Sequence, residues 1–513
     1  MNTNVNDEKN VSRKELEAYW GDHNHRFHAA GRPPTSEWQQ YFGTLPKQRV
    51  EEVYNRLWAC GLMDMAWLVM LYERGLVDRE TVAKLEPVLE KSMTEKGWGG
   101  EDWIRQNLPD HDEDVASAVN YGRTLQEPMG RIMMREGIMY ALEELQCTRA
   151  CLLDTAAENV DTVMAGHSHR AHAQPTTWGA YLLAVHDQLA RGEEQLELAF
   201  RHVNRNTGGC GACSGTGWPV DRERITELLG FDDTVELTYD CEGSMDDHLT
   251  TLFAAANIAV TLGRTATDHN NWVSEDVSLF TTDMEWRGCS SFMPQKAHAG
   301  SYFERLRIIS NRVLGQMQTG MLNYHNEPIQ DVLPVYMSEE YVITALAQLE
   351  GALGMLRIIL PHIHPDRKRM WKLLREGYSG APDLAIVLVR EKGYGGRAAH
   401  RICATMVRIA RERGIPPYEC SAALLQEAAR ISNDRIPDIT DGEVYDCMGL
   451  EHFFEKHNNL GDPNPQETLR LIERRRQAHE EARLRQTERR NRIENAIAAM
   501  KKRLHAIACA PTE

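Results

Sequence analysis

Two adjacent serines, a proline and a lysine stand together in Gly288-Cys-Ser-Ser-Phe-Met-Pro-Gln-Lys-Ala-His-Ala-Gly300. A serine in such a loop can serve as a base if Lys296, nearby backbone N–H groups and a helix N-terminus all favour its alkoxide. The same composition also suits an ordinary Ser/Pro/Gly linker. Beyond Gly300, Phe303, Leu306, Ile309, Val313 and Met317 follow three- and four-residue spacing, which predicts a long buried helix after the loop.

Three histidines fall within His167-Ser-His-Arg-Ala-His172. Zinc would need a matching Asp/His ligand set at supportive spacing, and none follows. One imidazole working as an acid or base near neutral pH, or a structural histidine, fits better. Thr207-Gly-Gly-Cys-Gly-Ala-Cys-Ser-Gly-Thr-Gly217 is glycine-rich but lacks the Gly-Lys-Ser/Thr of a P-loop. Its Cys210 and Cys213 form a Cys-Xaa-Xaa-Cys without a second pair, so close backbone approach explains the glycines better than zinc or redox chemistry. Arg123, followed by Thr124, Gln126 and Glu127, is a polar set suited to holding a carboxylate, and an arginine on a solvated turn would read the same way.

These residues need long elements to place them. Leu182, Leu189, Leu196 and Val203 recur every seven residues, with Val185, Gly192 and Ala199 three places on, the pattern of a helix in a bundle. Long helices are predicted near 179–204, 246–272, 300–323 and 338–361, each roughly 30 to 40 Å at 1.5 Å per residue, which favours an oligomeric helical core. Only Thr234–Tyr239 alternates like a strand. The expected organisation is an N-terminal arm and helical domain (1–110), a central long-helix domain (111–361) holding the loop at 287–300, a small helical domain (362–465) and a charged C-terminal helix (466–513). Between Glu473 and His505 that helix carries 11 Lys/Arg against 5 Asp/Glu, so it is either a solvated or partner-packing helix or a basic docking surface. The whole chain of 513 residues has a formal charge of −17, which disfavours nucleic acid as a partner. No apolar run is expected to span a membrane, the N-terminus lacks a secretory apolar core, and 11 cysteines are too few for a disulfide framework, so the expected location is cytoplasmic.

Together the motifs resemble the fumarase/aspartase superfamily, and within it argininosuccinate lyase. Ser290-Ser-Phe-Met-Pro-Gln-Lys296 is similar to the family's Ser-Ser-Xaa-Met-Pro-Xaa-Lys loop, and Gly166-His-Ser-His-Arg-Ala-His-Ala-Gln-Pro175 to its Gly-Tyr-Thr-His-Leu-Gln-Xaa-Ala-Gln-Pro segment. Ser214-Gly-Thr-Gly-Trp-Pro-Val-Asp-Arg222 resembles Ala-Gly-Thr-Xaa-Xaa-Pro-Ile-Asp-Arg, and Gly377 to His400 looks like the third domain. The resemblance implies a mainly α subunit of three helical domains, a homotetramer with a shared 20-helix core, and active sites built from three subunits. It implies elimination from a succinyl adduct to give fumarate and an amine, without cofactor or metal. Carried over by motif, Ser290 is the base and Lys296 stabilises its alkoxide, while His169 and Ser168 bind a carboxylate and assist leaving-group protonation. Arg123, Thr124, Ser291, Met293, His298 and Gln174 would hold the substrate, with Tyr324 and Asp331 near the departing amine.

Departures bear on the substrate. The family's His-Thr-Gly-Arg-Ser-Arg-Asn-Asp is here Asn120-Tyr-Gly-Arg-Thr-Leu-Gln-Glu127, so the second arginine is Leu125, and Lys-Asn-Pro after the loop lysine becomes Ala297-His298-Ala299. The expected substrate is therefore another N-substituted aspartate, of the kind taken by ethylenediamine disuccinate lyase. Argininosuccinate itself, a C–S or C–O succinyl adduct, and a non-catalytic structural role on the same fold remain the alternatives. Ser290→Ala should abolish fumarate formation while leaving the oligomer intact, read by absorbance and by size-exclusion; unchanged turnover would remove Ser290 from the mechanism.

Overall fold

The computed structural model describes residues 56–94, 100–124, 128–283, 300–325, 327–329 and 332–510. The expected N-terminal arm, and Ser290, Ser291, Met293, Lys296, His298 and Asp331 with most of the loop, lie outside the described residues.

The chain opens on helices α1 (Arg56–Glu73), α2 (Arg79–Thr94), α3 (Glu101–Asn107) and α4 (Glu113–Ser117), the last capped by the Asp112 carboxylate accepting from Asp114 and Val115 N–H. Then comes α5 (Met129–Glu158), a hairpin of β1 (Val163–Ser168) and β2 (Ala171–Thr177), and α6 (Trp178–Val203). Strand β3 (Arg205–Asn206), α7 (Arg222–Leu229), β4 (Asp233–Thr234) and α8 (Thr238–Gly243) lead into α9 (Asp246–Trp272). After β5 (Phe280–Thr282) come α10 (Gly300–Tyr324) and α11 (Val332–Ile359). Strand β6 (Ile363–Pro365) pairs antiparallel with β5, and α12 (Arg367–Glu376), α13 (Ala381–Arg390), α14 (Gly396–Arg413), α15 (Ala422–Ile431), α16 (Asp441–Met448) and α17 (Phe453–Lys456) precede the 44-residue α18 (Pro465–Ala508).

Helices α5, α6, α9, α10 and α11 pack side by side as an antiparallel bundle. The heptad residues Leu182, Leu189, Leu196 and Val203 are fully buried in its core, and Thr177 caps α6 by accepting from Ala180 N–H. Glycines allow the closest approaches: a Cβ on Gly192 would lie 2.4 Å from Ile258 Cγ1 of α9, and one on Gly320 would lie 2.5 Å from Leu252 Cδ1. The segment Glu340–His362 is long and apolar enough by composition to cross a membrane, contrary to the reading of the sequence. Its apolar window is 89% buried against the bundle, so the protein's own core uses that apolar surface.

Two further clusters flank this core. One joins α1 and α2 to the start of α5, α7 and the end of α18, through residues such as Trp67, Leu71, Ile132, Leu229 and Met500. The other lies within α13 to α16 around Leu388, Met406 and Leu425. Helix α18 runs back along α5 and the N-terminal helices, and its basic side chains find acids of the same chain: Arg475 with Asp187 at 2.9 Å, Arg503 with Glu73 at 3.0 Å, and Arg492 with Asp232. These contacts fasten the helix to its own chain.

The expected strand Thr234–Tyr239 is absent: pairing stops at Thr234 and the chain turns into α8, because Val235 is buried while Leu237 is exposed beside the Thr238 helix start. The hairpin was hidden by its polar residues.

At the hairpin end of the bundle, His269 is fully buried between Trp178, Tyr181, Trp272, Phe280 and Phe303, stacked on the last at 5.2 Å. Its Nδ1–H donates to the Thr265 carbonyl at 2.9 Å, and Nε2 has no hydrogen-bond partner among the described residues. Burial pushes its pKa down to about 4, against the Thr265 bond. An unfolded histidine titrates at ~6.5, so between pH 6.5 and 4 the unfolded chain binds a proton that the folded chain refuses. This residue's share of stability is complete above pH 6.5 and falls on acidification by up to about 1.4 kcal/mol per pH unit. His269→Phe should flatten the pH dependence of chemical denaturation across that window; an unchanged slope would overturn the assignment.

Candidate functional site

Helix α5 has 30 residues and is about 45 Å long. Arg123 and Thr124 stand before its first turn, and the β1–β2 hairpin with Ser168, His169 and Gln174 follows its last. The other core helices alternate in direction between the same two ends. Thus α6 leads from the hairpin to the Gly-rich segment, α9 leads back to Asp283, and α10 runs from Gly300, where the 284–299 segment ends, to Tyr324. The Arg123 end and the His169 end of one chain are held apart by rigid helices.

At the first end, Trp67 Nε1–H donates to the Tyr121 carbonyl at 2.9 Å, and Tyr121 stacks on Trp218 at 4.9 Å. Gly122 between them has φ +79°, and a Cβ there would sit 2.9 Å from Trp218 Cβ and Val220 Cγ1, so the turn requires glycine. This places Arg123 inside the protein, with Nε–H donating to Val119 O at 2.7 Å, an ion pair to Asp64, and the Trp67 ring 5.5 Å from its guanidinium. Arg123 Nη1 is buried with no hydrogen-bond partner among the described residues. Burial raises the Asp64 carboxyl above its ordinary range, with Arg123 opposing. A guanidinium with one spare, buried N–H edge suits a carboxylate oxygen.

Pro219-Val-Asp-Arg222 is explained by what it holds. Asp221 caps α7 by accepting from Arg224 N–H at 2.9 Å. Arg222 donates to Gly208 O at 2.8 Å, Val235 O at 2.7 Å, Glu236 O at 3.1 Å and Cys241 Sγ at 3.2 Å, stapling the Gly-rich segment to the entry of α8. A Cβ on Gly211 would meet Gly215 O at 2.3 Å, the close backbone approach expected there. Cys210 and Cys213 form no disulfide among the described residues and face different surroundings.

Beside this segment the structure adds residues that were not singled out from the sequence. Arg131 donates to His202 O at 2.8 Å and pairs at 3.0 Å with Asp247, whose other oxygen holds His248 Nδ1 at 2.7 Å. The His248 ring meets Tyr324 edge-on at 5.9 Å, and its buried Nε2 has no partner among the described residues. Burial opposes the ionised Asp247, but Arg131 and His248 hold its carboxyl well below the usual range. The signal in the sequence was only an adjacent Asp-His at a predicted helix start.

At the other end, His169 and Arg170 form the two-residue turn of the hairpin with φ +52° and +62°. Neither is a glycine, so the turn holds backbone strain of roughly 1–2 kcal/mol per residue, and it leaves His169 and Ser168 exposed. His167 and His172 meet edge-on at 5.2 Å, and burial, then His167, lowers the pKa of His172. Among the described residues no three His, Cys, Asp or Glu side chains are grouped to hold a metal ion. Gln174 is half-buried with its carbonyl against Gly166. Asp283, the last described residue before the Ser290 segment, accepts from His362 Nδ1 at 2.8 Å and His364 Nε2 at 2.9 Å. Burial raises its carboxyl, but these two bonds outweigh it and hold the pKa below its ordinary value. In the sequence, Pro361-His-Ile-His-Pro365 shows only two histidines between prolines.

Known proteins share this arrangement. A family described as Lyase matches residues 84–315. Argininosuccinate lyase of Methanothrix thermoacetophila is 28% identical over 460 residues, 85% of this chain and 90% of that protein, and the Methanothermobacter thermautotrophicus enzyme is 29% identical over 391 residues, 71% of this chain and 81% of that protein. Among solved structures, EDDS lyase in complex with formate superposes with TM-score 0.85 at 23% identity over 94% of this chain and 98% of its own. A class II fumarase from Schistosoma mansoni gives 0.65 at 13% identity over 88% and 98%. With the bundle and the two polar ends, the chain is thus similar in sequence to the argininosuccinate lyases and in fold to EDDS lyase and class II fumarase.

Proposed function

We propose that this carbon–nitrogen lyase eliminates an amine from an N-substituted aspartate to release fumarate. The observation that carries the proposal is the split site. Arg123 with its spare N–H edge and His169 on its strained tip are separated within one chain by the roughly 45 Å of α5, so a complete site needs another copy. Exposed apolar residues on the core helices, among them Leu198, Phe253, Val260, Ile308 and Leu322, suit a homotetramer in which five helices per subunit make a shared 20-helix core. Three subunits would then contribute to each site, and the protein would work as a cytoplasmic enzyme.

The proton beside a carboxylate is weakly acidic, so the reaction needs preorganised donors for the doubly charged aci-carboxylate. In this reading Ser290 takes the proton, Lys296 stabilises its alkoxide and the developing charge, and His169 with Ser168 binds a carboxylate and assists protonation of the leaving amine. Arg123, Thr124, Ser291 and Met293 hold the succinyl carboxylates, His298 and Gln174 also bind the substrate, and Tyr324 and Asp331 lie toward the amine. Argininosuccinate is the second reading, favoured by the names of the relatives. Leu125 in place of a second arginine weighs against it, because a site that loses a paired polar group loses affinity for the ligand built to fill it.

Fumarate absorbance should rise when the protein meets one member of a panel of argininosuccinate, aspartate, N-substituted aspartates and S- or O-succinyl compounds. Release from an N-substituted aspartate supports the proposal, release from argininosuccinate alone selects the second reading, and silence from a folded tetramer overturns both. Ser290→Ala and Arg123→Gln subunits, each inactive alone, should regain activity when co-assembled. Inactive mixed tetramers would place both residues of a working site on one chain.

A further inference from the structure

The Gly-rich segment holds a pair of thiols that the elimination does not use. Cys210 is fully buried and packs with Val235 and Cys241 in one small cluster, while Cys213, its partner by spacing, lies 3.5 Å from Ser214 Oγ. The surroundings of the two clustered sulfurs differ. Arg222 Nη2–H donates to Cys241 Sγ at 3.2 Å, so a cation faces this sulfur. Cys210 Sγ lies 3.5 Å from Glu242 Oε1, so a carboxylate faces the other. Cys241 sits in α8 beside the exposed Tyr239 and Asp240, one helix wall from solvent.

We propose that Cys210 and Cys241 are a redox-active dithiol that a hydroperoxide converts to a disulfide. The Cys241 thiolate attacks the peroxide; its sulfur is oxidised to the sulfenic acid and the O–O bond breaks to release hydroxide. Cys210 sulfur then attacks Cys241 sulfur, the S–S bond forms, and the S–O bond breaks. The Cys210 proton passes by way of the Glu242 carboxylate to the departing hydroxide, giving water. The proton that Cys241 lost on ionising neutralises the first hydroxide, so two thiols lose two electrons and one hydrogen peroxide becomes two waters. Hydrogen bonding from Cys210, then the Arg222 charge, holds the Cys241 thiol below its ordinary pKa against burial, whereas burial pushes Cys403 up to about 12. The bond would tie residue 210 to α8 and displace the Arg222–Cys241 contact. Turnover should therefore fall on oxidation, an effect that rests on the lyase reading, whereas the bond itself does not.

The test treats the reduced full-length protein with hydrogen peroxide, blocks remaining thiols with iodoacetamide, digests it and maps the peptides by mass spectrometry. Expected are a dithiothreitol-sensitive peptide linking Cys210 to Cys241, and loss of the Cys241 thiol at least about tenfold faster than that of Cys403. Fumarate release, where the substrate is in hand, should fall with peroxide and return with dithiothreitol. Cys241→Ser, compared with its own untreated activity, should lose that response. A Cys210–Cys213 link, or a Cys241 thiol that persists as long as Cys403, overturns the proposal. The wild-type peptide map decides it even if a variant misfolds or no lyase substrate is found.

Discussion

The rigidity of the five long helices governs the rest of the structure. Each is held by packing that leaves no room to bend toward its neighbour, with Gly192 against Ile258 and Gly320 against Leu252 setting the spacing of α6, α9 and α10. A bundle of this kind fixes directions as well as distances. Motifs that alternate along the sequence with long helices must appear alternately at its two ends, and no side-chain movement brings Arg123 to His169 of the same chain. Distance is usually a reason to doubt that two motifs cooperate; under the proposed function it assigns them to different copies.

The Arg123 end is built largely from buried ions. Arg123 with Asp64 and Arg131 with Asp247 are both pairs withdrawn from solvent. Such pairs give little net stability over a hydrophobic replacement, since desolvation consumes the Coulombic gain. What they supply is fixed direction. Arg131 links the end of α6 to the start of α9, so that Asp247 and His248 reach Tyr324 in one orientation. Arg222 does the same with four acceptors around the Gly-rich segment.

Much of the bundle was legible because apolar periodicity survives where apolar side chains do the packing: the predicted 246–272 is α9, and 179–204 and 300–323 differ from α6 and α10 by a residue at most at each end. Helix α5 was not read as a long core helix because its buried face includes Arg131, Arg135, Glu136, Gln146 and Arg149, whose burial depends on partners distant in sequence. The hairpin was missed for the opposite reason: His167 to His172 are exposed, so its strands carry no apolar alternation. The site was legible as residue types. Which residues meet was not, and the clearest instance is Cys210, whose spacing points to Cys213 while the fold brings up Cys241 from beyond α7.

Arg123 also limits what this end can contribute to the proposed chemistry. Its charge is already opposed by Asp64 at contact distance, so toward a substrate the pair presents a directed N–H from Nη1 more than a full positive charge. A directed donor distinguishes a correctly placed carboxylate from a misplaced one, but it stabilises a second negative charge less than a free cation does. In the proposed chemistry the charge that develops on the aci-carboxylate then falls chiefly to Lys296. Binding orientation and transition-state charge would then be supplied by different subunits. On that proposal, a chain with Leu125 in place of a second arginine keeps the orienting donor and gives up one substrate contact, so the departure would bear on the leaving group more than on the elimination.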